Sequence, residues 1–190
     1  MEFMRIVIGE SDTRTRNKLK DILTRQGHLI VGEAKDGNQA LLQIRSTEPD
    51  LVILESKLPG TDGLEIAKII EESRIAPVVL LVEPSQQDVL YNLKDSWVFA
   101  FLIKPIQELN ILPAIKMARS NFEKIVSLEK EITELKESLD QRKIVERAKG
   151  LLMSKKGLSE DQAYKYIQQQ SMKKRVSKNE IAEAIILMLE

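Results

Sequence analysis

The first 120 residues contain five short, Val- and Ile-rich apolar runs separated by amphipathic segments, and this alternation restricts the fold sharply. The runs are Arg5 to Ile8, Leu29 to Val31, Leu51 to Leu54, Val78 to Val82 and Val98 to Ile103. Strands buried on both faces read as continuous apolar stretches. Segments with helical periodicity lie near residues 13–26, 37–46, 63–72, 86–94 and from 106 onward. Five strands alternating with five helices predict an α/β domain, a doubly wound five-stranded parallel sheet. Such sheets gather their chemistry at the carboxyl ends of the strands. Here three of those ends carry Glu10-Ser11, Glu55 and Lys104-Pro105. A carboxylate at the tip of a buried strand, like Glu55 in LVILESKLPGTDG, is costly unless something uses it. Glu55 therefore reads as a functional position.

Composition narrows the rest. No stretch approaches the roughly 20 apolar residues of a membrane span, and MEFMRIVIGES lacks the pattern of a secretory signal. With no cysteine and one histidine, disulfides, thiolate chemistry and zinc sites are not expected, and a cytoplasmic location fits. The net charge of zero conceals a segregation. Met1 to Asp140 holds 18 Lys and Arg against 23 Asp and Glu, a net of −5, whereas Gln141 to Glu190 holds 11 against 6, a net of +5. A basic module follows an acidic body.

The strand-end motifs IVIGES, LVILESKLPGTDG and FAFLIKPI, taken together at this spacing, resemble the receiver domains of bacterial two-component response regulators over about residues 4–120. The resemblance implies a flavodoxin-like fold in which two acidic residues after the first strand bind magnesium beside an acceptor aspartate. It also implies a hydroxyl residue after the fourth strand and a lysine after the fifth that grip the phosphoryl oxygens, with a sensor kinase or another protein regulator upstream. Glu10 and Lys104 keep that pattern. Ser11 stands at the second acidic position, with Asp12 on the next turn as a candidate replacement. Glu55 stands at the acceptor position, Val82 at the hydroxyl position and Phe101 at the switch aromatic. Magnesium demands near-octahedral oxygen ligation, so its binding here, if it occurs, is expected to be weak. Phosphotransfer tolerates little misplacement. The receiver is expected to escape phosphorylation at Glu55, which either mimics a phosphoaspartate or forms a static ion pair with Lys104.

From Ala114 to Met153 there is no proline and a single glycine, Gly150. Ile125, Leu128, Ile132, Leu135 and Leu139 recur at spacings 3, 4, 3, 4, the seam of a coiled coil between Glu- and Lys-rich faces. The spacing predicts a homodimeric coil, with packing on the chain's own domain as the alternative. The expected boundaries are 1–120 for the receiver, 121–141 for the coil helix and 142–190 for a three-helix module whose second and third helices start at Ser159 and Ser177. Ile144, Ala148, Leu151, Leu152, Ala163, Tyr164, Ile167, Ile181, Ala182, Ile185 and Leu189 are its expected core.

ERAKGLLM, GLSEDQAY, SM and EIAEAI, in that order, resemble the ANTAR domain, the RNA-binding module of transcription antitermination regulators of the amidase and nitrate-assimilation type. This implies binding to paired hairpins in a nascent leader transcript, so that a terminator hairpin does not form. Phosphate-neutralising candidates are Arg142, Arg147 and Lys149, then Lys155 and Lys156, then Lys173, Lys174 and Arg175. The reading is a regulator and not an enzyme. A DNA-binding response regulator and a protein-interaction adaptor are the alternatives. The acidic, apolar last helix, EIAEAIILMLE, is a poor DNA-reading helix, which favours RNA.

Overall fold

The computed structural model describes residues 3–86 and 96–190. In chain order the elements are β1 (Arg5–Gly9), α1 (Thr13–Arg25), β2 (Leu29–Ala34), α2 (Gly37–Thr47), β3 (Leu51–Glu55), α3 (Gly63–Ser73), β4 (Val78–Val82), β5 (Val98–Ile103), α4 (Glu108–Lys156), α5 (Glu160–Lys174) and α6 (Lys178–Leu189). The helix expected over 86–94 lies outside the described residues apart from Gln86. The strands form one parallel sheet in the order β2-β1-β3-β4-β5. This is the doubly wound arrangement that the alternating runs predicted, and it makes β1 and β3 neighbours at the point where the winding reverses.

The chain divides into two compact units, Met1–Val126 and Ser127–Glu190. In the first, one sheet face packs Ile6, Ile8, Ile53, Val79 and Leu81 against Leu19, Ile22 and Leu23 of α1 and Ile111, Ile115 and Ala118 of α4. The other face packs Val7, Val52, Leu54 and Leu80 against Ala40 and Ile44 of α2 and Ile66, Ala67 and Ile70 of α3. Because both faces are covered, the central strands have no polar side, which is why they read as plain apolar runs. Asp12, Asp36 and Asp62 each cap a helix by accepting the backbone N–H three residues on, so these three β-to-α turns end in the residue that satisfies an orphan donor. Gly63, the first residue of α3, lies so close to β3 that an added Cβ would sit 2.4 Å from the Glu55 carbonyl oxygen. Its own N–H donates to the Ser56 carbonyl at 2.9 Å. The turn after Glu55 therefore requires a residue without a side chain at 63.

In the second unit, Ala148 and Leu152 of α4, Ala163 and Ile167 of α5, and Ile181, Ala182 and Ile185 of α6 form a small core. Both later helices begin with a reciprocal capping box, Ser159 with Gln162 and Ser177 with Glu180. Two expected members of this core fall elsewhere. Tyr166 packs against it, whereas Tyr164 is 40% exposed. Leu151, on the same helix as Leu152, is only half-buried and outside the cluster. Helix α4 is continuous through the seam, and Ile125, Leu128, Ile132, Leu135 and Leu139 are all exposed, between 38% and 58%. None of the helices among the described residues is long and apolar enough to cross a membrane.

Candidate functional site

Parallel pairing of β1 with β3, and of β3 with β4 and then β5, aligns the strand ends so that Glu10, Glu55 and Lys104 converge. The Lys104 ammonium is the centre of the cluster. It donates to Glu55 Oε1 at 2.8 Å and to Glu10 Oε1 at 3.0 Å, and Glu83 Oε1 lies 3.3 Å away. Glu83, directly after β4, is a third carboxylate that sequence reasoning passed over. Its signal in the sequence is the first charged residue after the apolar run in PVVLLVEP, next to Val82. Ser11 completes the arrangement by donating its backbone N–H at 3.0 Å and its hydroxyl at 2.5 Å to Glu55 Oε2. Both Glu55 oxygens are thus engaged, one by a cation and one by a serine.

Burial sets the two main carboxylates apart. Glu10 is fully buried, and burial raises its carboxyl above the ordinary value despite hydrogen bonds from Lys104 and the Asp12 N–H. Burial also pushes Glu55 up, but hydrogen bonds from Lys104 and Ser11 outweigh it and hold that carboxyl below the ordinary value. Burial pulls Lys104 down, and its two carboxylate partners more than reverse this, raising the ammonium well above the usual lysine range. At neutral pH Lys104 and Glu55 are a closed ion pair.

The remaining predicted residues are placed differently. Asp12 does not join the cluster. Its Oδ2 accepts from the Thr15 N–H at 2.9 Å and the Thr15 hydroxyl at 2.8 Å, so it is the cap of α1 and not a second acidic ligand. Val82 is buried among apolar side chains, and its carbonyl accepts the Lys104 N–H at 2.9 Å. Phe101 is exposed on β5. The family's magnesium site calls for three acidic oxygens facing one cation. Here the three carboxylates of Glu10, Glu55 and Glu83 are all drawn onto the Lys104 ammonium, Ser11 donates to Glu55, and Asp12 caps a helix. No group of three or more acidic or histidine side chains among the described residues is placed to hold a metal. Glu10 Oε2 has no hydrogen-bond partner but lies 2.9 Å from the ammonium, an ion-pair contact. These residues do not fit an octahedral magnesium site.

In the second unit the basic candidates separate into two kinds. Lys149 is buried and committed to Glu146, at 2.9 and 3.0 Å, and to Glu160, at 2.8 Å. It ties the start of α5 to α4 through these two carboxylates. Arg147 pairs with Glu190. Arg142, Lys155, Lys156, Lys173, Lys174 and Arg175 are exposed. Arg175 takes a left-handed conformation, φ 57°, as the C-cap of α5, which turns the chain into α6. An added Cβ at Gly150 would meet nothing within 4 Å, so intramolecular packing does not account for that glycine.

A family model of response regulator receiver domains matches residues 6–116, and a model of ANTAR domains matches residues 133–186. The chain belongs to the response regulators that join a receiver to an ANTAR output domain. Among its relatives, the transcriptional regulatory protein PdtaR of Mycobacterium tuberculosis is 41% identical over 182 residues, covering 96% of this chain and 89% of that protein. The chemotaxis protein CheY of Bacillus subtilis is 30% identical over 112 residues, 58% of this chain and 93% of CheY. Among solved structures, the signal receiver domain of the response regulator NarL from Mycobacterium tuberculosis matches with a TM-score of 0.54 at 28% identity, covering 60% of this chain and 94% of that one. The receiver domain of a modulated diguanylate cyclase from Desulfovibrio desulfuricans G20 gives 0.59 at 20% identity, covering 64% and 98%, a likeness of fold.

Proposed function

We propose that the chain is an antitermination regulator that binds hairpin RNA in nascent transcripts, acts as a homodimer through the α4 seam, and carries a receiver that signals without phosphorylation of Glu55. The observation that carries the reading is the coincidence of the ANTAR match with the segment of net charge +5, whose Arg142, Lys155, Lys156, Lys173, Lys174 and Arg175 are exposed. Exposed cations bind phosphate by releasing counterions, with affinity that falls steeply with salt. The seam supports dimerisation because five large aliphatic side chains at coiled-coil spacing stand in solvent. A dimer would hold two RNA-binding units for two hairpins. A cytoplasmic location and an upstream sensor kinase or other regulatory protein are consistent with this role.

The test is binding of hairpin RNA, random RNA and duplex DNA across a salt series. Hairpin RNA is expected to bind most tightly, and no preference over random RNA would defeat the reading. Lys173→Ala, Lys174→Ala and Arg175→Ala together should weaken RNA binding about tenfold or more and flatten the logarithmic salt slope by roughly 2 to 3. Lys149→Ala should lower the stability of the C-terminal unit without flattening that slope.

For the receiver, the proposed state is the Glu55–Lys104 pair itself, in which the attacking oxygens are already occupied by Ser11 and Lys104. Incubation with acetyl phosphate and magnesium is expected to leave the intact mass unchanged. A gain of one phosphoryl group mapped to Glu55 would overturn this.

A further inference from the structure

Tyr164 is unaccounted for by the core, yet it is held in a fixed place. Lys178 Nζ donates to its hydroxyl at 2.8 Å and lies 4.9 Å from the ring centroid. The ring forms part of a groove of about 460 Å³, whose wall includes Gln141, Arg142 and Val145 from α4 and Lys178 and Asn179 from the start of α6. We propose that this groove binds one unpaired RNA nucleobase stacked on Tyr164, with Arg142 and Lys178 meeting the flanking phosphates; the inference rests on the RNA-binding reading above.

The lining chooses among occupants. A docked protein helix would call for an apolar groove, and here Val145 and the Tyr164 ring are the only large apolar surfaces. A site for phosphate alone would need cations and no aromatic. An aromatic face, two cations and the neutral amides of Gln141 and Asn179 together match a base: a π-surface to stack, an edge of donors and acceptors to read, and a charged backbone on either side. Glu146 also lines the groove, but its carboxylate is held by Lys149, so it adds little repulsion toward phosphate. Lys178 restricts the tyrosine before RNA arrives, which lowers the ordering cost of stacking.

The probe is a hairpin RNA carrying 2-aminopurine at each loop position in turn, with a blunt duplex of the same stem as control, bound to the full chain. Saturation is expected to quench the fluorescence at one loop position. Tyr164→Leu, shown to be folded by circular dichroism, should abolish that quench and weaken binding about 5- to 150-fold, the equivalent of about 1–3 kcal/mol per stacked base, with the salt slope unchanged. Tyr164→Phe should keep the quench and remain within a few-fold of the parent affinity. Independently of any variant, 5-iodouridine at the quenched position should crosslink to Tyr164. A Tyr164→Leu protein that keeps both quench and affinity, or an adduct elsewhere, would overturn the base site while leaving RNA binding intact. Equal affinity of the unaltered protein for hairpin and duplex would overturn the base site and the RNA reading together.

Discussion

Replacing Ile132 and Leu135 together by aspartate is expected to convert the proposed dimer into a monomer and to cut affinity for a two-hairpin RNA by about 100-fold or more. Both side chains are exposed, so their loss should leave the secondary structure and the thermal transition of the receiver unit unchanged. Two carboxylates per chain in a facing seam would place like charges together where apolar knobs belong. The loss of RNA affinity follows from linkage alone. Two tethered RNA-binding units gain roughly 10²- to 10⁴-fold over one, and a monomer forfeits that gain. A single hairpin should therefore bind the variant nearly as well as it binds the parent. Light scattering and a comparison of one-hairpin with two-hairpin RNA check both halves. A parent protein that is itself monomeric at micromolar concentration would remove the basis of the expectation.

Lys104→Met should destabilise the receiver unit by roughly 3–5 kcal/mol at neutral pH, read by denaturant titration. The change leaves the buried Glu10 and the half-buried Glu55 without their shared cation, and Glu83 loses its ion pair as well. The pH dependence has a definite sign. In the parent, Glu55 has a lowered carboxyl, so its contribution is present above the ordinary glutamate value and lost as pH falls through the folded value. Glu10 has a raised carboxyl and works in the opposite direction, costing stability at neutral pH and less as acid protonates it. Lys104 is raised, so its contribution is complete below the ordinary lysine value of 10.5 and lost as pH rises through its folded value. Without Lys104 both carboxyls should rise, and the deficit of the variant relative to the parent should shrink as pH falls toward 5. A deficit that stays constant from pH 8 to pH 5 would show that packing, and not charge, is what the lysine supplies.

The sheet and the location of the cluster were legible in the sequence for a physical reason. Central parallel strands buried on both faces are apolar throughout, so the point where such a run meets a charged residue marks the end of the strand, whereas the edge strand β2 carries Glu33 within it. Glu10, Glu55 and Lys104 could be placed that way. Asp12 was harder, because adjacency to Glu10 suggested a shared site, whereas the spacing Asp12 to Thr15 is that of a helix cap and decides the matter locally. Tyr164 and Tyr166 were not separable by periodicity: with 3.6 residues per turn they flank the Ala163–Ile167 stripe symmetrically, and only the folded packing shows that Tyr166 meets the core and Tyr164 does not. What could not be read was the fate of Lys149. Its partner Glu160 is 11 residues away across the turn between α4 and α5, and only the folded packing of the two helices brings the pair together.

The glycine at 63 bears on how much freedom the acceptor position has. Because α3 begins so close to β3 that no side chain fits at 63, the backbone after the acceptor position is confined on that side. Glu55→Asp alone would withdraw the carboxylate from Ser11 and Lys104 by one methylene and open a gap there. On the proposed reading, in which Glu55 is not phosphorylated, the glutamate at 55 is held in place by Ser11 and Lys104 together, so its position is a property of the whole cluster.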